Sequence, residues 1–324
     1  MQSIGHYQQI VADYFAGHSF EKEPQNLYAP IQYILSLGGK RMRPVLTLMS
    51  AEVFGADCRK ALPAAVAVEV FHNFSLVHDD IMDEAPLRRG HETVHEKWDL
   101  NTGILSGDAM LILAYRYFEE YEPAVFRSLA KLFSKTALEV CEGQQWDVDF
   151  EQRDDVTQPE YLKMIEYKTA VLVAAAMKMG AIVAQTTQEN CDLIYDFGLN
   201  LGIAFQLQDD YLDAFGDPAT FGKQVGGDII ENKKTFLYLK ASAQGNSYEK
   251  ENLLQWFAVK PEDPSDKIVA VKNIFTHTGA DAATRQAIEQ YTLKAFATLD
   301  KMDIHADKKQ LLRQFGENLM KRNV

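Results

Sequence analysis

Cysteine is scarce in this chain, with only Cys58, Cys141 and Cys191 among 324 residues. They lie far apart and lack metal-ligand spacing. They therefore read as reduced thiols, which argues against a disulfide framework or a zinc site. Basic charge is in deficit as well. Thirty-three Lys and Arg stand against 46 Asp and Glu, a formal net charge of −13, and such an acidic balance speaks against a nucleic-acid partner. No apolar run approaches the ~20 residues that a membrane-spanning helix needs, so no integral membrane segment is expected. The start, Met1-Gln2-Ser3-Ile4-Gly5-His6, has no basic region followed by an apolar one, so a soluble, cytoplasmic protein is the expectation. No compositional break or low-complexity linker divides the chain, and residues 1–324 are expected to form one domain.

The strict alternation of half-buried strands is missing too; helical periodicity is what remains. Helices are expected over 3–16 and over 25–37, the second closed by Gly38-Gly39 in a left-handed cap. Stretches 44–54 and 61–83 are apolar nearly all round, as buried central helices are. Asn101-Thr102-Gly103 reads as a break before the next helix, and a further helix is expected over about 124–142. Thr157 with Pro159 reads as a helix start. Residues 170–185 are rich in Ala, Val and Met, and 191–213 make one long apolar helix. A loop follows from Phe215 to Asp228, then three or four more helices, with stops near Ser265 and Gly279. The expected fold is all-α, a single-domain bundle of ten or more helices around a central cavity.

Two stretches do not fit a packing role. Phe71-His72-Asn73-Phe74-Ser75-Leu76-Val77-His78 is apolar enough to be buried, yet runs into Asp79-Asp80-Ile81-Met82-Asp83. Asp209-Asp210-Tyr211-Leu212-Asp213 repeats the plan at the end of a second apolar helix. Carboxylates avoid burial unless paired or bound to a cation. Positions i and i+4 share a helix face, so Asp79 and Asp83 point together with Asp80 beside them, and their repulsion calls for a cation. Oxygen-only ligands suit Mg²⁺, which keeps several waters and commonly joins phosphate oxygens. Basic residues accompany the acids. Gly38-Gly39-Lys40-Arg41-Met42-Arg43-Pro44 gathers three cations beside two glycines, and Arg88-Arg89-Gly90 adds two more. Such clusters make anion sites. Metal-clamped and basic sites together point to two diphosphates, one held through metals and one by Lys and Arg directly.

In this ordered set the chain resembles the trans-isoprenyl diphosphate synthases of the polyprenyl synthetase family. Further matching motifs are Glu142-Gly143-Gln144, Lys168-Thr169, Phe205-Gln206-Leu207-Gln208, Gly222-Lys223, Gly226-Gly227-Asp228 and Lys233-Lys234-Thr235. The resemblance implies ionisation of an allylic diphosphate, head-to-tail attack by isopentenyl diphosphate, and loss of a proton. It implies three Mg²⁺, held chiefly by Asp79, Asp83 and Asp209 with help from Asp80, Asp210 and Asp213. Arg88, Lys168 and Lys223 would hold the allylic diphosphate, with Lys233 a further substrate contact. Lys40, Arg43, His72 and Arg89 would hold isopentenyl diphosphate. Thr169 and Gln206 would turn oxygen atoms toward the developing carbocation. No dedicated protein base stands out, in keeping with the family's use of the departing diphosphate. A homodimer is implied by the same resemblance.

If Asp79 marks the diphosphate end, the growing hydrocarbon runs back along its helix past Ser75, Phe74 and Phe71. In the family the position five before the first Asp forms part of the pocket floor, and a bulky Phe74 resembles the short-chain synthases. With Ser75 small, the pattern looks most like geranylgeranyl synthases of the archaeal type, giving C20 with C15 next. Lys321-Arg322 could close over the diphosphates or could be a solvated tail. Three other readings use parts of the same pattern. A terpene cyclase shares Asp79-Asp80-x-x-Asp83, but it carries a mixed second metal motif and has no need of Lys40 and Arg43. A phosphohydrolase reading of His78-Asp79 needs His-rich coordination. A non-catalytic partner subunit usually loses an Asp cluster, and both are intact here.

Overall fold

The computed structural model describes residues 3–217 and 225–321. Among the described residues the regular structure is helical except for one short ribbon, which bears out the all-α expectation. The chain forms two compact units. One comprises Met1–Lys135 with Ala175–Tyr195, the other Thr136–Ala174 with Asp196–Val324.

The first unit is built on α4 (Leu62–Met82), with α1 (Ile4–Gly17), α2 (Gln25–Ser36), α3 (Met42–Val53), the short α5 (Val94–Lys97) and α6 (Leu100–Arg116) in the same unit. Pro63 lies in the first turn of α4, where its missing N–H costs no intrahelical bond. Ala64 to Phe71 are buried without a break, so α4 has no solvent stripe. This is the all-round burial expected of it.

Asn101-Thr102-Gly103 does not break the chain. These residues form the first turn of α6, and Asp99 caps it by accepting from the Thr102 N–H at 2.9 Å and its hydroxyl at 2.8 Å. Gly103 is a packing residue. A Cβ there would lie 2.9 Å from Ile81 Cδ1, and one at Gly107, a turn later, would lie 2.3 Å from His78 Nε2. The two glycines let α6 press against the last turns of α4, and glycine read from sequence alone does not separate close packing from a break. A second difference is the ribbon of β1 (Leu87–Arg88) and β2 (His91–Glu92), paired antiparallel. Arg89 and Gly90 turn it with φ of 55° and 78°, the left-handed pair that a two-residue hairpin needs. Strands of two residues are too short to show alternation.

In the second unit, Thr157 caps α8 (Gln158–Ile165) in a reciprocal box with Glu160, which bears out the helix start expected from Thr157 and Pro159. Helix α7 (Pro123–Glu151) runs well past the expected stop near residue 142. Gly143 is again the reason. A Cβ there would sit 2.2 Å from the Lys168 backbone nitrogen, so the residue marks close backbone approach. Between α8 and α9 (Val171–Val183) the chain widens into one π-turn, Glu166–Ala170. Such turns are frequent at functional sites. Helix α10 (Gln188–Phe215) contributes Ile203 and Leu207 to a core that also holds Phe150, Tyr161, Ile165 and Phe236. Five helices follow the 225–235 segment, at Phe236–Gln244, Ser247–Phe257, Ser265–His277, Ala280–Lys301 and Ala306–Met320, more than the three or four expected. Ser265 and Gly279 do mark ends, Gly279 at φ 74° between the third and fourth. No helix among the described residues is long and apolar enough to cross a membrane.

Candidate active site

In the first unit the basic motif follows α2. Gly38 and Gly39 have φ of 74° and 126°, conformations that glycine adopts at little cost. Arg89 Nη1 donates to the Gly38 carbonyl, and its guanidinium would lie 2.8 Å from a Cβ at Gly39. Glycine is therefore needed there so that Arg89 can lie flat on the loop. Lys40 is exposed beside it. Arg43 Nη1 is 3.1 Å from His72 Nε2. A guanidinium only donates, so Nε2 accepts and the His72 proton sits on Nδ1. Burial, then Arg43, Arg89 and Arg88, hold the His72 pKa well below its ordinary value. Beneath them lies Glu69, 3% exposed. Burial raises its pKa while Arg43 and Arg41 oppose the rise. Sequence reading missed Glu69, because one acid inside an apolar helix gives no pattern.

The first acidic cluster closes α4. Asp83 is exposed at the C-cap, one turn beyond Asp79. Asp80 turns inward and is 1% exposed. Arg88 Nε donates to both its oxygens at 2.8 and 2.7 Å, with Nη2 2.5 Å away, while Asp79 lies 3.8 Å from the same guanidinium. Burial raises the Asp80 pKa against the opposing pull of Arg88. His78 faces the Ile104 carbonyl at 3.2 Å, which gives no support to a His-rich metal site. Behind the cluster Phe74 packs on His78 at 4.8 Å between ring centroids. Phe71 packs on Phe74 at 5.4 Å and on Phe133 at 5.0 Å. Phe133 continues the aromatic wall to Tyr115 and Phe118. Ser75 turns its hydroxyl back to the His72 carbonyl.

The second unit encloses a cavity of about 100 Å³ lined by Asp147, Tyr161, Lys168, Thr169, Gln206, Asp210, Asp228 and Lys233, among others. Lys168 and Thr169 come from the π-turn, Gln206 and Asp210 from one face of α10. Lys168 pairs with Asp147, a residue without sequence signal of its own. Thr169 Oγ1 donates to Gln206 Oε1 at 3.0 Å, and Gln206 Nε2 donates to Asp210 Oδ1 at 2.9 Å. Tyr161 donates to Asp210 Oδ2. Asp213 Oδ2 accepts from the Asp228 N–H at 3.0 Å, tying α10 to the 225–235 segment. Burial works against the charge of Lys233, but Glu231, Asp147 and Asp228 outweigh it and raise its pKa. Lys234 is tied to the Phe150 and Arg153 carbonyls and to Asp154. Gln208, beside Asp209, donates to the Met320 carbonyl at 2.8 Å, which anchors the residue before Lys321. Lys223 and Arg322 lie outside the described residues.

The sequence model of the Polyprenyl synthetase family matches residues 24–274. The chain belongs to that family. It is 36% identical to a geranylfarnesyl diphosphate synthase of Natronomonas pharaonis, over 99% of this chain and 97% of the relative. It is 37% identical to a geranylgeranyl diphosphate synthase of Methanosarcina mazei, over 92% and 90%. A crystal structure of a geranylgeranyl pyrophosphate synthase superposes with a TM-score of 0.96 at 54% identity, covering 99% of each chain. A decaprenyl diphosphate synthase from Rhodobacter capsulatus still superposes with a TM-score of 0.87 at 27% identity, covering 99% and 97%. One polyprenyl synthetase fold thus accompanies very different product names, so product length is a local property.

The acidic residues fit a hard divalent cation. Every candidate ligand is a carboxylate oxygen. Burial first, then Asp209 and Asp213, push the Asp210 pKa up, and burial with Asp210 and Asp213 pushes Asp228 up. That is how excess negative charge behaves before a cation offsets it. Among the described residues no three His, Cys, Asp or Glu side chains converge on a ready-made cage. An ion that keeps its waters and shares substrate phosphates needs none.

Proposed function

We propose that this prenyltransferase condenses isopentenyl diphosphate head-to-tail with an allylic diphosphate, and that its main product is C20 geranylgeranyl diphosphate. The observation that carries the product is the near full-length likeness to a geranylgeranyl pyrophosphate synthase. The neighbouring length favoured by relatives is geranylfarnesyl, longer by one isoprene unit, where the sequence pattern put C15 next. A terpene cyclase or a non-catalytic subunit is not favoured by these relatives.

Arg43, Arg89, Lys40 and neutral His72 form the isopentenyl diphosphate site, with Glu69 holding the arginines together from below. Lys168, Lys233 and Lys223 take the allylic diphosphate. Arg88 would add a further contact to that diphosphate. Asp79 and Asp83, with Asp209 and help from Asp80, Asp210 and Asp213, would hold Mg²⁺, three ions in all. Bound Mg²⁺ would supply charge neutralisation for the departing diphosphate. Thr169 and Gln206 steady the allylic cation with oxygen lone pairs, a dipolar stabilisation that is strong in a dry site. Phe74, with Phe71 behind it and small Ser75 beside it, limits the hydrocarbon.

The family match spans parts of both units, which supports one functional domain. Leu105 and Ile112, two turns apart on α6, are 59% and 61% exposed. An apolar stripe of this kind supports a homodimer. The three cysteines, all free thiols, fit a reducing cytoplasm.

Incubating the protein with Mg²⁺, isopentenyl diphosphate and each of dimethylallyl, geranyl and farnesyl diphosphate tests the assignment. C20 diphosphate should dominate the chromatogram. Cyclisation or hydrolysis of the allylic substrate without consumption of isopentenyl diphosphate would sink it.

A further inference from the structure

An amide and a hydroxyl each have two ends, and a carbocation tolerates only one of them. Thr169 and Gln206 help a cation if lone pairs face it, and harm it if N–H or O–H groups do. Something must therefore fix which way round they stand. The hydrogen bonds in the second unit give that direction. Asp210 is 6% exposed, and each of its two oxygens takes one donor. Oδ1 accepts from Gln206 Nε2 and Oδ2 from the Tyr161 hydroxyl. With Nε2 on Asp210, the oxygen end of Gln206 faces Thr169. Thr169 then gives its single hydroxyl proton to Gln206 Oε1 at 3.0 Å. Its remaining capacity is lone pairs alone, and these are what the cavity receives.

Tyr161 stands at the origin of this chain. It is 3% exposed, at the cavity wall, in a core with Ile165, Leu207 and Phe236. Its ring is core material, but its hydroxyl goes to Asp210. Without that donor, Asp210 Oδ2 loses its partner and the carboxylate can turn about its Cβ–Cγ bond. Gln206 then loses the acceptor that sets its amide. We propose that Tyr161 is a positioning residue for catalysis. Through Asp210 and Gln206 it fixes the Thr169 hydroxyl with lone pairs toward the reacting allylic carbon. The same network assigns Asp210 a duty besides any contact with a cation. The inference rests on the role given above to Thr169.

A double-mutant cycle between Tyr161→Phe and Thr169→Ala tests it. Tyr161→Phe should lower kcat about 10- to 100-fold with both substrate KM values within about twofold, because it touches no diphosphate contact. The share of allylic substrate released as free alcohol should rise, since a poorly held cation is open to water. In the Thr169→Ala background, Tyr161→Phe should cost less than about twofold more, because groups acting in series are not additive. Equal losses in both backgrounds would overturn the relay, as would a raised KM with kcat intact. Should Tyr161→Phe fail to fold, Tyr161→4-methoxyphenylalanine, which keeps the ring and oxygen and loses only the proton, is carried through the same cycle and decides by the same criterion. If Thr169→Ala leaves kcat unchanged, the cation role of Thr169 itself is overturned, and the relay goes with it.

Discussion

Asp79-Asp80-Ile81-Met82-Asp83 and Asp209-Asp210-Tyr211-Leu212-Asp213 are spelled alike, and their surroundings differ. In both, the middle carboxylate is turned into the protein, Asp80 at 1% and Asp210 at 6% exposure. Asp80 meets a full positive charge, Arg88, in two-oxygen geometry. Asp210 meets two neutral donors, Tyr161 and Gln206. The first cluster ends its helix with Asp83 in solvent. In the second, α10 continues to Phe215 and Asp213 is tied to the Asp228 backbone. Upstream the contrast continues. Five and eight residues before Asp79 stand Phe74 and Phe71; before Asp209 stand Ala204 and Leu201. In one cluster the buried carboxylate is paired with an arginine and backed by an aromatic wall. The other keeps an acidic excess and is wired to oriented dipoles. A shared motif sets the donor type, and its surroundings set the duty.

The largest effect should come from removing what the clusters share. Asp79→Asn and Asp209→Asn should each lower kcat by about 10³-fold, the scale of losing one preorganised charge interaction. Retained turnover in either, measured by isopentenyl incorporation, would break the parity of the two sites. The next tests separate them. Arg88→Met leaves a buried carboxylate unpaired and should cost about 3 kcal/mol of stability in urea unfolding. Tyr161→Phe removes one hydroxyl donor from buried Asp210 and should cost about 1–2 kcal/mol. Equal costs would erase the distinction between charged and neutral support.

The acidic excess of the second unit gives a pH signature. Folded Asp210 and Asp228 have raised pKa values, from burial first and neighbouring carboxylates after. Between the ordinary carboxylate range and those raised values the folded state binds more protons than the unfolded one. Metal-free stability is therefore greatest on the acid side of that window and falls as pH rises through it. Melting curves in chelator should show this decline, and added Mg²⁺ should raise Tm more at the upper end of the window. Asp228→Asn should flatten the slope; an unaltered slope would move its origin elsewhere. The smallest energetic effect belongs to the aromatic wall. Phe74→Ala should shift product toward longer chains with modest loss of turnover, read by chromatography of the product pool. An unchanged chain length would remove Phe74 from the pocket floor.

Helix content, the two Asp clusters and the basic motifs could be read from sequence because each has local physics behind it. Apolar period gives helices, and repeated acids or clustered cations within a few residues cannot be neutral packing. The glycines were less legible. Gly38 and Gly39 do cap a helix, whereas Gly103 and Gly143 lie inside helices because another backbone or side chain comes close. That approach is a tertiary fact. The π-turn that presents Lys168 and Thr169 left no sequence mark, nor did Asp147, Glu69 or Tyr161 as partners.

By itself, then, the sequence determined the helical class, the chemistry of the ligating groups and the family. Spacing along one helix is enough to put Asp79 and Asp83 on one side. Only the tertiary structure decided that Asp80 faces Arg88 and that Asp210 faces Tyr161 and Gln206. Those pairings join residues separated by up to 49 positions. A hydrogen bond's direction depends on which donor arrives from elsewhere in the chain, and local pattern carries no record of it.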